Sequence, residues 1–117
     1  MIITGNSNPV PGTTFDDGDT VRGVVKQLLI GPQESAPNFA MRRFTVAPGG
    51  FTPFHTHPWE HEVYILSGHG VVKSADGETP VVAGDFVYVP PEDEHQFRNP
   101  SREPLMFLCM VPLDGET

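Results

Sequence analysis

Gly49-Gly50-Phe51-Thr52-Pro53-Phe54-His55-Thr56-His57-Pro58-Trp59-Glu60-His61-Glu62-Val63-Tyr64-Ile65-Leu66-Ser67-Gly68 is the stretch on which the reading of this chain turns. It opens on a glycine pair and closes on Ser67-Gly68. Between them a β-forming run, His61 to Leu66, follows a cluster of histidines. Three of the five histidines of the chain fall here. Side chains two residues apart on an extended backbone share a face, so His55 and His57 point the same way. His61 shares its face with Val63 and Ile65, whose apolar side chains turn inward and carry it with them. Imidazole is the commonest protein metal ligand. Histidines aimed at one point therefore read first as a metal site.

Outward from this stretch the chain is a succession of short apolar runs. They are Val21 to Ile30 (with a bend or bulge at Gly23), Phe39 to Val46 (closed by Pro48-Gly49-Gly50) and a brief Phe51 to His57 interrupted by Pro53. After His61 to Leu66 come Gly70 to Ser74, Thr79 to Val82, Asp85 to Val89, His95 to Arg98 and Leu105 to Val111. Asp76-Gly77 predicts a hairpin turn across Ala75 to Glu78. Residues 1–20 are rich in turn-formers and are expected to be irregular. No run shows a helical period with caps. Short strands at regular spacing predict an all-β antiparallel sandwich or barrel.

Bulk properties agree with one domain spanning residues 1–117. A chain of 117 residues can bury about two-thirds of its unfolded surface, enough for one core. Its 13 prolines and 12 glycines lie between the apolar runs, as turns do. The net charge of −8 repels phosphate backbones, so no nucleic-acid partner is expected. The lone Cys109 rules out an internal disulfide and fits a reducing compartment. No apolar run approaches the ~20 residues of a membrane span, and the N-terminus lacks a signal-peptide pattern. The expectation is a cytoplasmic protein without a membrane partner.

His95 is the distant member of the cluster, sharing a face with Phe97. Four imidazoles converging in a small barrel, His55, His57, His61 and His95, would form a mononuclear site. Phe54, Trp59, Phe97, Phe107 and Cys109 are candidates for a surrounding pocket. On the last run Leu105, Phe107 and Cys109 share one face, and Met106, Leu108 and Met110 the other; alternation leaves open which is interior. Cys109 is a possible catalytic thiol if it faces the metal. Glu92-Asp93-Glu94 would disfavour anionic ligands if it lined the mouth. His69, between two glycines, is expected at the surface.

These residues resemble the cupin superfamily. Gly49, five residues, His55-Thr56-His57, three residues, His61, six residues and Gly68 follow the spacing of its first motif. Histidine stands where that motif has glutamate. Gly84, Pro90, His95 and Asn99 follow the second motif, with Glu92 in a position usually held by glycine. Fifteen residues separate the two. The resemblance implies a cupin-type double-stranded β-helix, a jelly-roll barrel. Residues His55 to Glu62, Ala36 to Phe39 and Phe107 to Cys109 are similar to a subgroup of small single-domain manganese cupins with four histidine ligands. Glu62 is the alternative fourth ligand: it leaves four residues after His57, but only five before Gly68. Alternation also sets it opposite Val63 and Ile65. Glu60 and Glu62 are then rim or supporting carboxylates.

The resemblance implies one divalent transition metal per chain, manganese first. Imidazole accepts Fe, Ni, Co, Cu and Zn as well. Four neutral imidazoles would leave the full dipositive charge on the ion and make it strongly Lewis acidic. The leading functional expectation is a metal-dependent oxidoreductase of dioxygenase or peroxide-using type acting on a small organic molecule. Alternatives are a non-catalytic small-molecule binder or sensor and a metal-assisted isomerase or hydrolase. The edge strand Val21 to Ile30 suggests pairing into a homodimer.

Overall fold

Nine strands account for the regular structure of residues 1–116, the part of the chain that the computed structural model describes. They are β1 (Thr13–Phe15), β2 (Arg22–Ile30), β3 (Phe39–Phe51), β4 (His61–Ser67), β5 (His69–Ser74), β6 (Gly77–Val82), β7 (Phe86–Val89), β8 (His95–Arg98) and β9 (Leu105–Pro112). Single 3-10 turns lie at Pro32–Glu34 and Leu113–Glu116. Every strand pair is antiparallel. Hydrogen bonding runs β6-β5-β8-β3-β9-β4-β7, with β2 against β3 and β1 against β2. The all-β expectation is met.

Alternation explains the packing. Along β9, Leu105, Phe107, Cys109 and Val111 are buried, while Met106, Leu108 and Met110 are only half-buried. That resolves which face of the last strand is interior. In β4, His61, Val63 and Ile65 are buried, whereas Glu62, Tyr64 and Leu66 are exposed. The inward residues of β2, β3, β4, β6, β8 and β9 meet in one core. Ile65 and Leu105 are fully excluded from solvent, each burial being worth about 1.5–3 kcal/mol.

The corner that carries the histidine loop is made at Pro48-Gly49-Gly50. β3 pairs with β9 from Phe39 to Val46, then swings to β8, pairing Phe51 with Arg98. Gly49 takes φ +78°, a left-handed conformation that glycine adopts without steric cost. At Gly50 any side chain would collide with backbone, since an added Cβ would lie 2.6 Å from the Arg22 carbonyl. Asn99, 1% exposed, locks the corner. Its amide donates to the carbonyls of Val46 (2.9 Å) and Glu103 (2.7 Å), and its backbone carbonyl accepts from Gly49 N–H at 2.8 Å.

Three strand expectations need correction. β3 does not stop at Val46 but runs through the corner to Phe51. Phe51 to His57 is not a strand; beyond Phe51 it makes a single bridge, His55 to His95, because Pro53 and Pro58 lack the N–H that a ladder needs. The first twenty residues are not wholly irregular: β1 pairs Thr13, Thr14 and Phe15 with Lys26, Val25 and Val24. β1 therefore covers part of the β2 edge that was expected to be open. Gly23, at φ +61°, sits at the register shift between Arg22 and Val24. The hairpin turn is Ala75-Asp76, with Ser74 pairing Gly77.

Candidate metal centre

His55 and His57 lie on the loop between β3 and β4, and His95 is the first residue of β8. The backbones of His55 and His95 bond reciprocally, at 3.2 and 3.1 Å, which sets the two rings side by side with centroids 5.0 Å apart. The His57 ring is 4.2 Å from that of His55 and 5.0 Å from that of His95. One ligand-capable nitrogen from each of these three lies within 4.8 Å of the others. Trp59 stacks on His57 at 4.7 Å and 10°, holding its orientation. His95 is buried, His57 half-buried and His55 exposed, so the cluster opens toward solvent on the His55 side.

The nitrogens are prepared for a cation. His95 Nδ1 lies 2.9 Å from the Asp93 carbonyl. A carbonyl can only accept, so the hydrogen is on Nδ1 and the lone pair on Nε2. Nε2 of His57 is buried with no hydrogen-bond partner among the described residues, a costly state that a cation would relieve. Burial, then the neighbouring His95 and His57, depress the pKa of His55 to about 4. Burial likewise lowers His57, with His95 and Arg42 adding to it, and burial lowers His95. The rings are therefore neutral at neutral pH, the form that binds metal.

The expected four-histidine set is not what the fold assembles. Among the described residues the converging group is His55, His57 and His95. His61 is close, with its ring 4.7 Å from His57 and 4.9 Å from His95 and its Nε2 also buried without a partner among the described residues, but it falls outside the group whose ligand atoms lie within 4.8 Å of one another. Its Nδ1 lies 3.1 Å from Cys109 Sγ, across the β4–β9 ladder in which Val63 pairs with Cys109. Glu62 is not at the site: it is exposed on the outer face of β4. With Glu60 it lines an external groove beside Phe39 and Met110.

Behind the cluster is a cavity of about 240 Å³. Phe97, Phe107 and Cys109 line it, with His55, His61 and His95. Phe54 and Trp59 do not: Phe54 is 38% exposed with Lys73 Nζ 4.7 Å over its ring, and Trp59 packs behind His57. The Glu92, Asp93 and Glu94 loop is exposed and absent from the cavity wall. His69 is exposed.

Sequence reasoning missed a polar chain on the cavity wall. Lys26 and Arg42 both line the cavity. Glu116, from the C-terminal 3-10 turn, bonds Lys26 at 2.7 Å and Arg42 at 2.8 Å. Arg42 also donates to the Cys109 carbonyl and Sγ, each at 3.2 Å. Burial raises the Glu116 carboxyl, but the hydrogen bonds from Lys26 and Arg42 outweigh it and hold it below the usual range. Burial pushes the Cys109 thiol up, and Arg42 offsets only part of that. Alternation could have found Arg42, which lies between the buried Ala40 and Val46 on one face of β3. Nothing local announced Lys26 or Glu116.

Comparison with known proteins adds three findings. The family model Cupin_2, a cupin domain, matches residues 42–111. Over 90 residues the chain is 41% identical to the 1-methylthio-D-xylulose 5-phosphate methylsulfurylase of Rhodospirillum rubrum, covering 77% of this chain and 56% of that protein. The chain thus spans little more than half of that relative, and less of the other curated proteins it matches. Among solved structures, a polyketide cyclase of Streptomyces resistomycificus superposes with TM-score 0.88 at 26% identity, over 97% of this chain and 80% of the other. A cupin-2 domain protein of Rhodospirillum rubrum gives 0.82 at 30% identity, over 96% and 75%. The fold is the expected jelly-roll barrel. Other relatives are named as a dioxygenase, an aminohydrolase and an isomerase, so the likeness favours no single reaction.

Proposed function

We propose, from the premise that this chain belongs to the Cupin_2 family of cupin domains, that it is a metal-dependent oxidoreductase acting on a small organic molecule. The reaction type is that of a dioxygenase or a peroxide-using enzyme. One observation carries the reading: three imidazole nitrogens lie within 4.8 Å of one another, and two of these histidines, His55 and His95, line a cavity together with Val24, Phe44, Phe97 and Phe107. Three protein ligands, one of them exposed, leave room for an exogenous ligand, as catalytic sites require and closed structural sites do not. When bound, a divalent transition metal supplies Lewis acidity and, where the ion is redox-active, electron transfer. Manganese is the first candidate, with Fe, Co, Ni, Cu and Zn also accepted by imidazole.

The chain's own residues do the rest. Trp59 and the Asp93 carbonyl fix the rings of His57 and His95. The aromatic wall excludes water from the substrate's apolar body. The cavity is smaller than the roughly 300–1,000 Å³ typical of drug-sized ligands, so the substrate is a compact molecule.

Elemental analysis with electron paramagnetic resonance names the metal. Dioxygen or peroxide consumption is then compared between manganese- or iron-loaded protein, zinc-loaded protein and His55→Ala. Turnover confined to the redox-active metals supports the oxidoreductase. Turnover retained with zinc replaces it with metal-assisted isomerisation or hydrolysis. Tight ligand binding with no turnover under any metal makes the protein a binder. The single cysteine, buried as a free thiol, supports a reducing cytoplasmic setting. Exposed Tyr64, Phe86 and Tyr88 on β4 and β7 support association of two copies, and a sedimentation mass of one chain would contradict that.

A further inference from the structure

We infer that Lys26 and Arg42 form an oxyanion-recognition wall in the cavity, so that the ligand this site takes is a small organic anion. Its carboxylate or phosphate would sit on these two cations and its apolar body against Phe44, Phe97 and Phe107. The inference rests on the proposed use of this cavity for a small molecule and names the chemical class of that molecule.

The argument begins with donors. A guanidinium has five N–H groups and an ammonium three. Among the described residues Arg42 uses three of its five: Nε to the Cys109 carbonyl, Nη2 to Cys109 Sγ and Nη1 to Glu116. Lys26 uses one of its three, to Glu116. Both residues line the cavity, and these bonds leave N–H groups of each uncommitted to a protein acceptor among the described residues. Arg42 is 5% exposed, and the Lys26 side chain 21%. Cationic donors in an apolar wall are costly unless acceptors reach them, and a ligand's oxyanion supplies acceptors with charge assistance.

Charge points the same way. Two cations and the single carboxylate of Glu116 leave the wall with one net positive charge. Arg42 is held rigidly, pinned to β9 through Cys109 and stacked over Phe44 with its guanidinium carbon 5.2 Å from the ring centroid. Glu116 already occupies one side of both cations, at 2.7 and 2.8 Å. It is an intramolecular competitor for them, carried on the last turn of the described chain. This wall reverses the expectation drawn from Glu92-Asp93-Glu94, whose side chains are not part of the cavity.

The test is calorimetric binding of benzoate, phenyl phosphate and neutral benzamide. It uses native protein before and after removal of metal with a chelator, Lys26→Met and Glu116→Gln. In native protein at least one anion binds about tenfold or more tighter than benzamide, and benzoate against phenyl phosphate tells which oxyanion is preferred. The preference persists after chelation, is lost in Lys26→Met, and increases in Glu116→Gln as the competing charge is removed. Equal binding, or no binding, of anions and benzamide overturns the proposal. So does a preference that vanishes on chelation, since the anion would then be reading the metal. If Lys26→Met does not fold, Glu116→Gln decides alone: unchanged or weaker anion binding overturns the proposal. Failure of the metal reading looks different, with anion preference intact and no metal retained.

Discussion

His61 Nδ1 lies 3.1 Å from Cys109 Sγ, and this contact ties the first residue of β4 to the interior face of β9. The same sulfur accepts from Arg42 at 3.2 Å. A thiol this buried, at 4% exposure, and pushed by burial above its ordinary pKa keeps its proton, and only the thiolate is a strong nucleophile. Cys109 in native protein at pH 7.5 is therefore expected to react with iodoacetamide far more slowly than in guanidinium-unfolded protein. Equal rates, followed by mass spectrometry, would show that the thiol is open.

Removal of His55, His57 or His95, each changed singly to alanine, is expected to take metal content from one ion per chain toward zero. His69→Ala, an exposed residue outside the cluster, is expected to leave it unchanged. Inductively coupled plasma analysis after dialysis reads this directly.

The metal-free protein is expected to lose stability as pH falls from about 6.5 to about 4. His55 protonates at about 4 when folded and near 6.5 when unfolded, and His61 at about 3 when folded. Across that window the unfolded chain binds more protons, so stability is full above 6.5 and declines below it. Glu116, depressed when folded, adds a further loss as pH falls below about 4.5, the ordinary value of a glutamate. Urea midpoints measured against pH test this, and a curve flat from pH 7 to 4 would contradict it.

Arg42→Met is expected to cost about 3–5 kcal/mol, because it leaves Glu116 buried with one cation fewer. The two side chains are 6% and 7% exposed. The Arg98–Glu78 pair is equally close, at 2.9 Å, but 33% and 50% exposed. Arg98→Met should therefore cost no more than about 1 kcal/mol. Chemical denaturation of the two variants gives the comparison, and similar losses would refute it.

Gly68→Ala is expected to destabilise the protein more than Gly84→Ala, although both glycines have positive φ, +87° and +94°. An added Cβ at Gly68 would lie 2.3 Å from the Pro104 carbonyl, whereas at Gly84 nothing lies within 4 Å. Gly84→Ala meets only the conformational cost, about 1 kcal/mol. Thermal melts of both variants are the check.

The sequence by itself determined the barrel. Period-two alternation in β4 and β9, with turns at glycine and proline, is a local property that fixes which side chains face inward, because a one-residue slip would turn every apolar residue outward. Motif spacing placed His55 and His57 together and supplied His95. What only the tertiary structure decided were matters of distance between strands far apart in the chain. His61 was aimed inward correctly, yet its contact with Cys109 depends on how β4 sits on β9, and no spacing in the sequence states that. Lys26, Arg42 and Glu116 lie on three separate elements; Lys26 and Glu116 look like ordinary surface charges when read along the chain, and alternation aims Arg42 inward without naming its partners. Closing the barrel desolvates them together, and burial makes charged groups seek one another. The chain therefore announces its histidines, and the fold alone brings the two cations and their carboxylate together beside them.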